Sequence, residues 1–122
     1  MPDELRQDIH DIHLNVVQSW IGDYLTPTQV FGIREYRKGS VLEIHRDRLE
    51  THVASVILNI DQNVKTDWLL SIEDHMVRKH EISLKPGEML LYEGGRLKHG
   101  RPLPLDGSSY ANVFAHYKLK DI

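Results

Sequence analysis

The sequence predicts a mainly β domain: an antiparallel double sheet of the jelly-roll kind, about eight strands with one N-terminal helix packed on a sheet. Three observations predict it. Only the segment before Gly22 carries a helical period; after Pro27 the chain breaks into short β-rich runs at Gly, Pro, Asp and Asn; and no second helix is available as a βαβ crossover. Leu5, Ile9, Ile12, Val16 and Trp20 recur at helical spacing, which predicts an amphipathic helix over about residues 3–21 whose apolar stripe covers one sheet. Strands are expected near residues 30–36, 41–48, 52–60, 68–72, 77–84, 88–92, 97–103 and 110–118, a β core of about 29–119. The turn Lys85-Pro86-Gly87-Glu88 before Met89-Leu90-Leu91-Tyr92 is the clearest of the hairpin signals.

At 122 residues the chain is expected to form one domain, 1–122, so any function rests on a single core. Hydrophobic residues at 40% and charged residues at 27% are those of an ordinary globular protein, and the apolar runs break too early to cross a bilayer. A net charge of −3, from 15 basic and 18 acidic residues, lacks the cationic excess that a phosphate backbone attracts, so nucleic acid is not the expected partner. The absence of cysteine excludes disulfides, thiolate zinc sites and cysteine nucleophiles. Asp3, Glu4, Arg6, Asp8 and Asp11 stand where a secretory leader would be apolar, which favours the cytoplasm. Eight histidines and the carboxylates are then the strong transition-metal ligands available.

Within Glu43-Ile44-His45-Arg46-Asp47, strand alternation puts His45 and Asp47 on one face. A third ligand fits at His99, just beyond the strand that ends near Tyr92. Two histidines and one carboxylate on one side of a metal leave its other positions open, as non-haem Fe(II) oxygenases require. Taken alone, His-x-Asp is more commonly a surface pair than a ligand pair.

More of the chain follows a pattern. Tyr36 and Gly39 precede His45-Arg46-Asp47; Trp68-Leu69-Leu70 follows; Pro86-Gly87-Glu88 leads into a strand; then come His99-Gly100-Arg101-Pro102 and the aromatic run 110–117. In this order the segments closely resemble the prolyl 4-hydroxylase-like family of 2-oxoglutarate and Fe(II)-dependent dioxygenases, over about residues 29–119. The resemblance implies a double-stranded β-helix and an enzyme that uses Fe(II) and 2-oxoglutarate, with O₂ as co-substrate and ascorbate allowed. It implies His45, Asp47 and His99 as iron ligands and Tyr36 as a hydrogen-bond partner of the distal 2-oxoglutarate carboxylate. Oxidative decarboxylation to succinate and CO₂ would accompany hydroxylation of an aliphatic carbon, the substrate being a peptide, with proline foremost, or a small amino acid.

One departure stands out. The family places a Lys or Arg near position 109 to pair with the co-substrate, and this chain has Ser108 and Ser109 there. Arg101 shares the face of His99 in a regular strand and is the first candidate to replace it; Arg34, on the face of Tyr36, is the second, and Lys118 the third. His10 and His13 read as partly exposed packing residues of the helix, His75 and His80 as members of a solvated turn, and His52 and His116 as core or rim residues. Trp68 and Tyr92 read as β-core residues. Two other functions compete: a cupin-type metal protein, which would normally present His-x-His rather than His45-Arg46-Asp47, and an inactive binding module on the same fold.

Overall fold

The computed structural model describes residues 1–121. Among them it forms one helix, α1 (Asp3–Ile21), and eight strands: β1 (Leu25–Arg37), β2 (Leu42–His45), β3 (Ala54–Val64), β4 (Leu70–Glu73), β5 (Lys79–Ile82), β6 (Met89–Tyr92), β7 (His99–Arg101) and β8 (Gly107–Leu119). The strands make two four-stranded antiparallel sheets, ordered β1-β8-β3-β6 and β2-β7-β4-β5. This is the jelly roll the sequence predicts. The core begins at Leu25, ahead of the expected start, because Pro27 sits on an edge strand at a register shift where no ladder N–H is needed.

Asp3 and Glu4 complement the N-terminal dipole of α1, and Gly22 ends it in the left-handed region (φ 80°), its N–H donating to Gln18 O at 2.8 Å. The helix lies on the outer face of the larger sheet. Val17 is buried there with Leu25, Val30, Ala54, Val56, Val113, Ala115 and Tyr117. The expected orientation of the helix needs correction: Leu5, Ile12, Val16 and Trp20 are exposed, while the buried residues are His10 and Val17. His10 is held inside because its Nε2 meets Gln29 O at 3.0 Å and its ring sits edge-on to Tyr117, whose hydroxyl donates to the carbonyl of His10.

Alternation along the two long strands divides the interior. Ala54 and Val56 of β3, with Val113, Ala115 and Tyr117 of β8, face the helix. Ile57 and Phe114 face the opposite sheet and pack with Leu70, Leu84 and Tyr92. A third cluster, Trp68, Leu105 and Tyr110 with Tyr36 and Leu42, closes one end of the space between the sheets. Among the described residues no helix is long and apolar enough to cross a membrane.

Candidate metal centre

β2 and β7 lie side by side in the smaller sheet with His45 opposite His99, so the two imidazoles stand 4.6 Å apart between centroids. Asp47 reaches them by a different route from the one alternation predicts, since β2 ends at His45. Its backbone N–H donates to Gly94 O at 2.9 Å, which turns the segment after β2 inward and brings Asp47 Oδ1 to 3.2 Å from His45 Nε2 and Oδ2 to 3.5 Å from His99 Nε2. One ligand atom from each of the three residues lies within 4.8 Å of the others. His99 and Asp47 are shielded, and His45 is nearly half exposed.

The donor set fits a divalent metal. His45 Nδ1 lies 2.7 Å from Glu43 O and His99 Nδ1 2.9 Å from Leu97 O, so each ring donates from Nδ1 and turns the lone pair of Nε2 toward the centre. Burial pushes the Asp47 carboxyl up, but hydrogen bonding and charge from His99, helped by His52 and His45, outweigh it and leave Asp47 ionised more readily than usual.

Gly94 is part of this construction: a Cβ there would overlap Asp47 Oδ2 and come within 3.0 Å of the Tyr92 ring. Gly94→Ala is therefore expected to displace the carboxylate and weaken metal binding by about 10–100-fold while the fold persists. Calorimetric titration with Mn(II), alongside circular dichroism, checks this; native affinity in the variant would mean that Asp47 does not depend on that close approach.

The triad opens into a cavity of about 170 Å³ that Tyr36, Leu42, Ile57, Leu70, Tyr92 and Arg101 help to line. Arg101 is 2% exposed and lies between the rings of Trp68 and Tyr110, 4.8 Å from each centroid. Its Nη1 donates to Trp68 O, and Trp68 is fixed in turn by Nε1 donating to Leu103 O at 2.8 Å. Arg101 Nη2 and the Tyr110 hydroxyl are both buried without a partner. Burial depresses the guanidinium pKa, against support from Tyr110, Tyr36 and Tyr92, yet a guanidinium remains cationic at any working pH. A buried cation with an unpartnered N–H in a cavity wall is a site for an anion.

Arg34 and Tyr36 also line the cavity, with Arg34 at its exposed rim. Lys118 lies outside, paired with Asp121 at 3.6 Å, and Ser109 is absent from the lining. His52 and His116 line the cavity with their rings 3.9 Å apart, whereas His75 pairs with the buried Glu93 and His80 with Asp74, both pairs outside the cavity lining. Gly94, which packs against Asp47, is missed by the sequence reading.

His116 makes the fold sensitive to acid. Burial, reinforced by the neighbouring His52, lowers its pKa from 6.5 to about 3. Between these values the unfolded chain binds a proton that the folded chain does not, so stability is complete above pH 6.5 and falls as the pH drops toward 3. The share of the slope expected from His116 is about 1.4 kcal/mol per pH unit. Urea unfolding of metal-free protein across this range should show it, and His116→Gln should flatten it; an equal slope in the variant would assign the effect elsewhere.

The fold and the His, Asp and His cluster define a jelly-roll protein with a candidate divalent-metal centre. No protein-family model and no curated protein matches the chain. Among solved structures it is similar to a Pseudomonas putida prolyl-4-hydroxylase, with a TM-score of 0.68 and 16% identity, covering 98% of this chain and 66% of that one. At this identity the likeness is one of fold.

Proposed function

We propose that the chain is a 2-oxoglutarate and Fe(II)-dependent oxygenase that hydroxylates an aliphatic carbon of an amino-acid or peptide substrate. One observation carries the reading: a His, Asp and His cluster able to hold a metal and a buried, half-partnered arginine share a single cavity. The shared fold of a prolyl-4-hydroxylase supports it.

Bound iron would supply the activation of O₂ and the oxidation itself. The protein's part is placement and electrostatics. His45 and His99 present Nε2 because Glu43 and Leu97 carbonyls occupy their Nδ1 positions, and Asp47 supplies the single negative charge. Arg101, with the hydroxyl of Tyr36, receives the distal carboxylate of 2-oxoglutarate, and Leu42, Ile57 and Leu70 keep water from its carbon chain. The cupin alternative is disfavoured by the carboxylate at Asp47, where a second histidine would stand. The binding-module alternative is separated by product formation.

The deciding experiment incubates iron-loaded protein with 2-oxoglutarate, O₂ and, in parallel, proline-rich peptides, free amino acids or alkylated oligonucleotides. Gain of one oxygen atom by a peptide or amino acid, matched by succinate, is expected. Oxidation confined to the oligonucleotide would overturn the substrate class, and no succinate in any arm would favour the binding module.

A further inference from the structure

We infer that the substrate carries an α-carboxylate, that of a free amino acid or of a peptide's C-terminal residue, and that Arg34 at the cavity mouth receives it. The inference rests on the oxygenase reading and adds the form in which the substrate arrives.

The first support is the backbone that aims Arg34. In a regular strand residues 31 and 34 point to opposite faces. In β1 the register slips between Phe31, opposite Phe114, and Arg34, opposite Asn112, so that one extra residue is accommodated on β1. The bulge turns both side chains to the cavity, where the Arg34 guanidinium lies 5.8 Å over the Phe31 ring. Bulges beside a site serve to re-aim a side chain in this way.

The second support is charge. Among the described residues no carboxylate forms an ion pair with Arg34, although Arg37 on the same strand pairs with Glu35 at 3.9 Å. The charged residues lining the cavity are Arg34, Asp47 and Arg101. Of the histidines there, His52 and His116 are kept neutral by burial. In the loaded site Asp47 offsets Arg101, and a divalent metal offsets the dianionic co-substrate. Arg34 is then left as one uncompensated cation at the exposed mouth of the cavity, a position that an anionic substrate neutralises. Phe31, Phe114 and Ile57 offer the apolar wall that an aliphatic side chain needs between that anchor and the triad. An aliphatic residue inside a peptide chain has its α-carboxylate tied up in the peptide bond and no carboxylate of its own to offer, whereas a free amino acid or a C-terminal residue carries one.

The test is a binding cycle with Mn(II)-loaded protein saturated with 2-oxoglutarate, read by calorimetry and independent of turnover. The probes are aliphatic L-amino acids, proline included, and tripeptides ending in them, each as free acid and as C-terminal amide. The free acid should bind about tenfold or more tightly than its amide. That ratio should collapse toward one in Arg34→Gln and recover in part in Arg34→Lys. Preference for the amino acids or for the tripeptides identifies which carrier supplies the carboxylate. Equal binding of acid and amide, an acid preference that survives in Arg34→Gln, or no binding of any probe while 2-oxoglutarate is bound would each overturn the inference. Failure of 2-oxoglutarate itself to bind would instead overturn the oxygenase reading.

Discussion

Alanine at position 47 is expected to leave a folded protein that no longer holds a divalent metal. Asp47 supplies the one charged donor of the triad and stands between His45 and His99, at 3.2 and 3.5 Å from their Nε2 atoms. Residues that merely orient a ligand are worth about 10–100-fold in metal affinity, so loss of the central ligand should exceed the upper end of that range. Turnover should vanish with it. Because the segment around Asp47 is anchored by its backbone N–H on Gly94 O, the side chain can be removed without freeing the chain. Calorimetry with Mn(II) or Co(II) on Asp47→Ala and His99→Ala checks the expectation, and native affinity in either variant would refute the assigned ligand set.

The second large effect is expected at Arg101. Its replacement by alanine removes the buried cation from the closed end of the cavity and should weaken 2-oxoglutarate binding by about 2–5 kcal/mol, roughly thirtyfold or more. The substitution also frees Trp68 O and opens space between Trp68 and Tyr110, so part of any loss of stability is structural. Metal affinity supplies the control: it should stay near native while co-substrate affinity falls. An unchanged Michaelis constant for 2-oxoglutarate in Arg101→Ala would pass the role to Arg34, the other basic residue lining the cavity.

The sequence made the jelly roll legible because its signals are local. Turn residues divide the chain into eight runs, and Gly22 marks the end of the helix at the residue where the backbone turns left-handed. The orientation of the helix was not legible. Its apolar residues cover more of the surface than one sheet can bury, and which flank is covered depends on contacts such as His10 with Tyr117, far apart in the chain. The triad shows the same division. His45 and Asp47 do end side by side, but through a hydrogen bond to Gly94, a residue just after β6 and far along the chain, rather than through strand alternation. The unpartnered Nη2 of Arg101 also needs three dimensions, since it depends on which atoms nothing else reaches. Lys118 and Arg101 are equally basic in sequence; only the register of β8 carries one out of the cavity and the geometry of β7 carries the other in.

His45 lies on β2, four residues long and at the border of the smaller sheet, with hydrogen-bonded neighbours on the β7 side alone. Such a strand is the first to fray. Asp47 belongs to the segment that follows it, while His99 belongs to an interior strand of the same sheet. An ion shared by the three would rivet the loose border to the interior, the office that a disulfide performs in small secreted domains and that a chain without cysteine cannot fill in that way. At a metal concentration of one hundred times its dissociation constant, such a rivet adds about 2.7 kcal/mol to the folded state. Metal occupancy and the integrity of that border are then one equilibrium, and a cell short of the metal would hold a chain more open to proteases at residues 42–47 before it held an unfolded one.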